Sequence, residues 1–307
     1  MIVDTIVYWV FRLIILLGRP FPPAVGYFFA RIIADICYVF FFFGKRRALK
    51  AAMARVLDTD DEKAISLAAR SSFRNFGKYV IDFIHFLDST PEEVRRRIVF
   101  DDFERINAIM AEKRGVIVIT LHYGNWDMGA AGLAAYGYPV NVVAETFPYK
   151  AMNALVQGSR RHLGMKVTPM ERVGPSVIRA LRKGEILALL IDVPEPGGTV
   201  RVNFFGVPTE VPVGPARIAL RSGAYVMPAI LLRVKGKEEM LRPIVDFDLT
   251  FEKSGDEEED VRRLTQAIMS SLERLIRLDP TQWFIFHDMW NRNQKAARAE
   301  TALASRS

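Results

Sequence analysis

The chain is poor in cysteine and histidine, with one cysteine and four histidines among its 307 residues. A single thiol cannot form an internal disulfide, and a zinc site built on cysteines is excluded. The thiol belongs to Cys37, whose position inside an apolar run disfavours a nucleophilic role. The cysteine content therefore fits a reducing compartment.

The sequence also lacks the motifs of several common enzyme classes. It has no G-x-S-x-G turn of serine hydrolases, no G-x-x-x-x-G-K-[ST] phosphate loop and no G-x-G-x-x-G dinucleotide fingerprint. Histidines and carboxylates do not occur at a paired-ligand spacing such as H-E-x-x-H. We therefore expect no metal site and no bound cofactor.

The charge balance is basic, with 42 Lys plus Arg against 35 Asp plus Glu and a net charge of +7. A basic excess indicates a polyanionic partner, such as nucleic acid, a phosphorylated substrate or an anionic membrane. The basic residues are not interleaved with aromatics in a recognisable nucleic-acid module, so nucleic acid is disfavoured. The apolar amino terminus favours a membrane surface.

Two apolar segments open the chain, residues 5–17 and 24–43. The first is short for a membrane span and is interrupted by Arg12, and no cleavage site of a signal peptide follows it. The second is long enough to span a bilayer, but Arg31 and Asp35 lie inside it, one helical turn apart. We expect a helical hairpin half-sunk in one leaflet; a single spanning helix and an ordinary buried hairpin are the alternatives.

A basic cluster directly follows the all-apolar run 38–43; it comprises Lys45, Arg46, Arg47, Lys50 and Arg55. An apolar wedge followed by basic side chains is typical of proteins that dock on an anionic leaflet, although the cluster alone could be a solvated helix face. We therefore assign residues 1–57 to a membrane-associated helical segment, residues 58–292 to an α/β domain and residues 293–307 to a polar, frayed tail.

The body of the chain alternates between predicted strands and helices. Residues 58–114 are mostly helical, with expected N-caps at Thr59 and Thr90. Buried strands are predicted at 115–121, 139–143, 186–191 and 225–232, and a late strand at 283–286. Helices are predicted between and after them at 127–136, 148–163, 175–183, 215–222 and 258–278. This alternation predicts an α/β fold with a central, mostly parallel sheet flanked by helices.

Titratable side chains follow four of the predicted strands. Open α/β sheets form their sites outside the carboxyl ends of the strands, so these side chains are expected at one edge of the sheet. They are His122 after the first strand, Glu145 after the second, Asp192 and Glu195 after the third, and His287 after the last.

The segment 121–127 (LHYGNWD) places a histidine and an aspartate across a strand-to-helix turn. His122 can accept a proton from a hydroxyl near neutral pH, and Asp127 on the other ring nitrogen would fix the tautomer. Asn125 is expected to cap the following helix. The spacing H-x4-D often arises by chance, and a lone histidine is more often structural, so its position after a buried strand is the supporting observation.

At these residues the chain resembles the lysophospholipid acyltransferase superfamily, whose first motif is H-x4-D or H-x4-E. Three further segments resemble a narrower branch, the bacterial lipid A biosynthesis (lauroyl/myristoyl) acyltransferases and the phosphatidylinositol mannoside acyltransferases. These are 202–208 (VNFFGVP), 213–216 (VGPA) and 282–287 (QWFIFH). The resemblance runs from about residue 5 to residue 292.

The resemblance implies an acyl thioester co-substrate, acyl-CoA or acyl carrier protein, and a membrane lipid or glycolipid acceptor at the cytoplasmic face of the bacterial inner membrane. It implies that His122 is the base and Asp127 its orienting partner. Glu145 and Glu195 match acidic positions lining the site, and Asp192 lies at the late acidic motif. That motif reads DVPE here, where Asp-x-Asp is common. Aspartate at 127 is nearer the phosphatidylinositol mannoside type.

Four arginines are candidates for contacts with the donor's phosphates, because guanidinium groups match phosphate geometry; ion pairing or solvent exposure is the alternative for each. They are Arg160, Arg161, Arg201 and Arg217.

Two other functions remain open. One is a hydrolase that uses the same dyad on a lipid ester or thioester, and the other is a membrane-docked lipid-binding protein with a degenerate site.

Overall fold

The computed structural model describes residues 8–9, 12–13, 15–16, 18–193 and 198–290. The strands are β1 Val116–Thr120, β2 Val140–Ala144, β3 Lys166–Pro169, β4 Ile186–Leu190, β5 Thr199–Phe204, β6 Val207–Pro212, β7 Tyr225–Arg233 and β8 Leu241–Val245. The helices are α1 Pro23–Phe40, α2 Phe43–Leu57, α3 Glu62–Phe86, α4 Pro91–Arg97, α5 Phe103–Ala111, α6 Trp126–Ala135, α7 Lys150–His162, α8 Pro175–Arg182, α9 Gly214–Ser222 and α10 Glu257–Ile276.

Six of these strands form a central sheet in the order β3–β2–β4–β1–β7–β8. The first five are parallel, and β8 runs antiparallel to β7. Strand β1 lies between β4 and β7, and Val116 pairs with both Ile186 and Tyr225. Both faces of β1 are covered, which is why its sequence is continuously apolar rather than alternating. The predicted mostly parallel α/β sheet is confirmed.

The amino-terminal helices pack against the rest of the chain. Asp35 of α1 accepts paired hydrogen bonds at 2.7–2.8 Å from Arg70 and Arg74 of α3, and these bonds lower the pKa of its carboxyl group against the opposing effect of burial. The charge in the apolar helix is therefore neutralised by a neighbouring helix. Leu49 and Met53 of α2 are fully buried in the same hydrophobic core as the central sheet.

Helix α1 is long and apolar enough to cross a membrane, judged by length and composition alone. Only a small part of it is buried against the protein. The apolar surface that it leaves exposed continues through Phe41 and Phe42 into the start of α2. Most of the first predicted apolar segment, 5–17, lies outside the described residues, as does the predicted tail.

Two local predictions differ from the structure. Residues 283–286 do not form the predicted strand: Trp283 makes an isolated bridge with Tyr123, and the Phe286 N–H then donates to the Phe284 carbonyl at 3.1 Å, a local bond that turns the chain. The cap of α3 is Asp61, whose carboxylate accepts the Lys63 N–H at 2.8 Å, and not Thr59. The predicted cap at Thr90 is confirmed, and there Thr90 and Glu93 form a capping box.

Candidate active site

His122 and Asp192 lie next to each other at the carboxyl end of the sheet. Each follows a strand by two residues, and the last residues of those strands, Thr120 and Leu190, are paired partners. The Nδ1 atom of His122 lies 2.8 Å from Asp192 Oδ1, and the His122 backbone N–H donates to Oδ2 at 2.9 Å. The indole N–H of Trp283 donates to the same Oδ2 at 3.1 Å. These contacts hold a carboxylate that is only 1% exposed.

The electrostatics of the pair favour a charged carboxylate beside a basic imidazole. Burial alone would lower the pKa of His122, but the charge and hydrogen bond of Asp192 outweigh it and raise that pKa above its ordinary value. Burial opposes ionisation of Asp192, yet His122 and the surrounding donors lower its pKa. An ionised Asp192 accepts from Nδ1–H, which leaves Nε2 as the proton-accepting nitrogen. The His122 side chain is 33% exposed and therefore accessible to a substrate.

The structure differs from the predicted His122–Asp127 pair. Arg160 donates from Nε and Nη2 to Asp127 Oδ1 at 2.9 and 2.8 Å, and the Tyr79 hydroxyl donates to Oδ2 at 3.0 Å. Asp127 lies in the first turn of α6, from which its carboxylate bonds to α3 and α7 instead of to the imidazole. Its charge still contributes to the raised pKa of His122. The carboxylate that bonds to the imidazole is that of Asp192, which was predicted only to line the site.

The turn between β1 and α6 is fixed by backbone geometry and by a cap. Gly124 has φ of 57°, and a β-carbon there would overlap the carbonyl oxygen of Leu231, so the position requires glycine. The side chain of Asn125 accepts the Met128 N–H at 3.1 Å, which confirms the predicted cap. Trp126 then lies against the imidazole ring, with 4.8 Å between ring centroids.

The two glutamates predicted to line the site have different outcomes. Glu145 follows β2 and is exposed, and its charge contributes to the raised pKa of His122. The side-chain amide of Gln157 on α7 donates to the Glu145 carbonyl at 3.2 Å. Glu195 lies outside the described residues. Glu145 therefore lies within electrostatic reach of His122.

Three of the four candidate arginines are in ion pairs within the chain. Arg160 is bound to Asp127, Arg201 lies 3.0 Å from Glu210 across the β5–β6 hairpin, and Arg217 lies 2.9 Å from Glu258 of α10. Arg161 is exposed on α7. Contacts of these arginines with a donor stay a prediction.

A buried carboxylate behind the turn was missed from the sequence. Asp82 of α3 is fully buried and accepts hydrogen bonds from Arg97, from Arg233 and from the hydroxyl of Tyr27 on α1. The amide of Asn125 donates at 3.2 Å to Oδ2, the oxygen that Arg233 also contacts. Its one visible sequence signal is an aspartate inside the apolar stretch YVIDFIHF.

Two apolar cavities lie near Trp126. The inner pocket is enclosed by α6 and the central strands, and its lining includes Val118, Thr120, Trp126, Gly129, Met227 and Leu231. The outer groove runs between α1 and α3 with a volume of about 610 Å³, and its lining includes Phe29, Ile33, Lys45, Phe76, Val80 and Phe286.

Open α/β sheets place their active sites at the carboxyl ends of the strands, so the carboxylate–histidine pair and the adjacent apolar pocket form a candidate active site. The family model described as bacterial lipid A biosynthesis acyltransferase matches residues 2–292, and the chain belongs to that family. It is therefore an acyltransferase.

Curated relatives with the same type of activity span most of the chain. A phosphatidylinositol mannoside acyltransferase of Mycobacterium tuberculosis (strain CDC 1551 / Oshkosh) is 26% identical over 254 residues, which cover 80% of this chain and 78% of the relative. The enzyme of the same name from Mycolicibacterium smegmatis is 24% identical over 251 residues, covering 80% of each chain.

Proposed function

We propose that this acyltransferase moves a fatty acyl chain from an acyl thioester, acyl-CoA or acyl carrier protein, to a hydroxyl of a membrane glycolipid. His122 is the general base and Asp192 orients it. The hydrogen bond between His122 Nδ1 and Asp192 Oδ1 carries the proposal, because it leaves Nε2 to accept a proton. The names of the mycobacterial relatives support a phosphatidylinositol mannoside as the acceptor.

The reaction is a direct transfer. Nε2 of His122 takes the proton of the acceptor hydroxyl as its oxygen attacks the thioester carbonyl carbon. The tetrahedral intermediate then collapses, the carbon–sulfur bond breaks, and the imidazolium returns the proton to the departing thiolate. Positioned general-base catalysis of this kind contributes about 10²–10⁴-fold.

The inner pocket is proposed to receive only the thioester end of the donor's acyl chain, because its volume of about 80 Å³ is too small for a whole fatty acyl chain. Its lining is apolar, and Trp126, which contributes to it, contacts the ring of His122. A chain held there would place the thioester close to His122. Glycines at 129 and 132 line the same pocket, so α6 places no side chain into it at these two positions.

We further propose that the enzyme is peripheral and works at the cytoplasmic face of the inner membrane. Helix α1 and the following phenylalanines expose a continuous apolar surface next to the basic cluster of α2. The pairing of Asp35 with two arginines of α3 favours a helix lying beside the protein over one that leaves it to span the bilayer. A single spanning helix is the alternative.

The test is acyl transfer by the purified full-length chain, with a labelled acyl thioester and vesicles that contain phosphatidylinositol mannosides. Labelled acylated glycolipid is expected, and folded His122→Ala is expected to lose about 10²–10⁴-fold in rate. Equal release of free fatty acid with and without acceptor would instead establish a hydrolase. Glycolipid binding without turnover would establish a lipid-binding protein.

A further inference from the structure

The outer groove has the size and position of a lipid-chain site. Its volume of about 610 Å³ falls in the range of small-molecule sites, roughly 300–1,000 Å³. Along α3 it extends from Phe73 to Ile84, about 16 Å at the rise of an α-helix. This length is close to the hydrocarbon depth of one leaflet, about 15 Å.

The groove is continuous with the apolar surface of α1. Phe29 and Ile33 line it and are also 57% and 59% exposed. If that surface lies in a leaflet, a lipid chain can enter the groove from the bilayer without crossing water.

The two ends of the groove differ in charge. Among the described residues that line it, Lys45 is the cationic side chain and no carboxylate is present. Lys45 lies at the Phe286 end, with its Nζ 5.7 Å from that ring centroid. His85 lines the groove beside Ile84, and burial together with the charge of Arg97 lowers its pKa, which leaves it neutral at pH 7. The groove therefore suits an apolar chain with an anionic group at the Lys45 end.

The Lys45 end is connected to the proposed catalytic pair through aromatic side chains. The ring of Phe286 packs on Phe76 at 5.0 Å, and Phe76 packs on Phe284 at 5.4 Å. Phe284 lies 6.2 Å from Trp126, which itself contacts His122. A short layer of aromatic side chains therefore separates this end of the groove from the imidazole.

We propose that the outer groove binds one fatty acyl chain of the acceptor, an anionic membrane phospholipid or glycolipid, with its phosphate at Lys45. The headgroup then extends past the aromatic layer towards His122, while the thioester end of the donor lies at the inner pocket. This assignment of the chain as the acceptor's rests on the proposed function.

The test is photolabelling of the full-length protein on phosphatidylcholine vesicles that contain phosphatidylinositol with a diazirine on one acyl chain. Peptide mapping is expected to find the label at residues 73–84 of α3. Ile33→Trp fills the groove without reducing the apolar surface. It should lower this labelling about tenfold, because leaving about two methylenes of the lipid chain unburied weakens binding by about that factor. Ile36→Trp is the matched control, because Ile36 is 46% exposed on the same helix but does not line the groove, and its labelling should stay unchanged.

Lys45→Gln should reduce labelling by the anionic probe but not by a phosphatidylcholine probe. Lys50→Gln, in the same basic cluster but away from the groove, is the control for general attraction to the vesicle. Label confined to the exposed face of α1 would overturn the proposal. So would labelling of α3 by a diazirine acyl-CoA that unlabelled phosphatidylinositol does not displace, because the groove would then hold the donor. Labelling requires no turnover. A failure of acyl transfer would therefore refute the proposed function without refuting the binding of a lipid chain in the groove.

Discussion

Asp192→Asn tests the proposed catalytic pair of His122 and Asp192 with little change in side-chain shape. Two donors, the His122 backbone N–H and the Trp283 indole N–H, converge on Asp192 Oδ2. In the variant they should hold the amide oxygen at that position, which turns the amide NH₂ group towards Nδ1 of His122. An NH₂ group facing Nδ1 requires an unprotonated Nδ1, so the proton moves to Nε2.

An imidazole with its proton on Nε2 cannot accept the proton of the acceptor hydroxyl. The comparable aspartate-to-asparagine change in a serine-protease triad costs on the order of 10⁴-fold in kcat through the wrong tautomer. We expect a loss of similar size here, with KM for the acyl thioester little altered, because Asp192 is buried and holds neither substrate.

The assay is acyl transfer under saturating donor and acceptor, together with thermal unfolding and vesicle binding of the same preparation. A matched control is Asp246→Asn, since Asp246 also accepts side-chain hydrogen bonds, from Ser271 and Arg274, but lies on another part of the chain. A folded Asp192→Asn protein that transfers acyl chains at near-normal rate would refute the assignment of His122 as a base oriented by Asp192.

Three further outcomes are expected. The acid limb of the pH profile of kcat/KM should have its midpoint above pH 6.5, because the pKa of His122 is raised and the neutral imidazole is the base. Glu145→Gln should move that midpoint to lower pH, because it removes a charge that favours the imidazolium. Asp127→Ala should lower the free energy of unfolding by about 3–5 kcal/mol in chemical denaturation, because Arg160 is left buried without its carboxylate. Phe41→Ser should weaken vesicle binding about tenfold with unchanged transfer to a water-soluble acceptor, because Phe41 is exposed on the apolar surface.

The sheet and its catalytic edge could be predicted because strand-to-helix alternation and apolar runs are local signals. The partner of His122 could not be chosen from such signals, since strand order is not local. Strand β1 pairs with β4, and the carboxylate that meets the imidazole follows β4. His122 and Asp192 are therefore 70 residues apart in the sequence. The H-x4-D spacing instead drew attention to Asp127, which is near in sequence but belongs to the first turn of α6.

Asp82 was missed for a related reason. An aspartate in an apolar helix gives no indication of its partners, and its cations come from α4 and β7, far along the chain. Burial of a carboxylate is tolerated here because several donors surround it. Sequence reasoning could flag the position as unusual, but the tertiary fold supplies the explanation.

The Asp82 cluster has a practical consequence for engineering. Its oxygens are shared between Tyr27, near the start of the apolar helix, and Asn125, in the turn that carries the histidine. Cutting that helix away to obtain a detergent-free preparation would remove a donor from a buried charge and disturb the cap beside it. Replacing outward-facing phenylalanines one by one keeps Tyr27 in place. That is the route by which a water-soluble form could retain its chemistry.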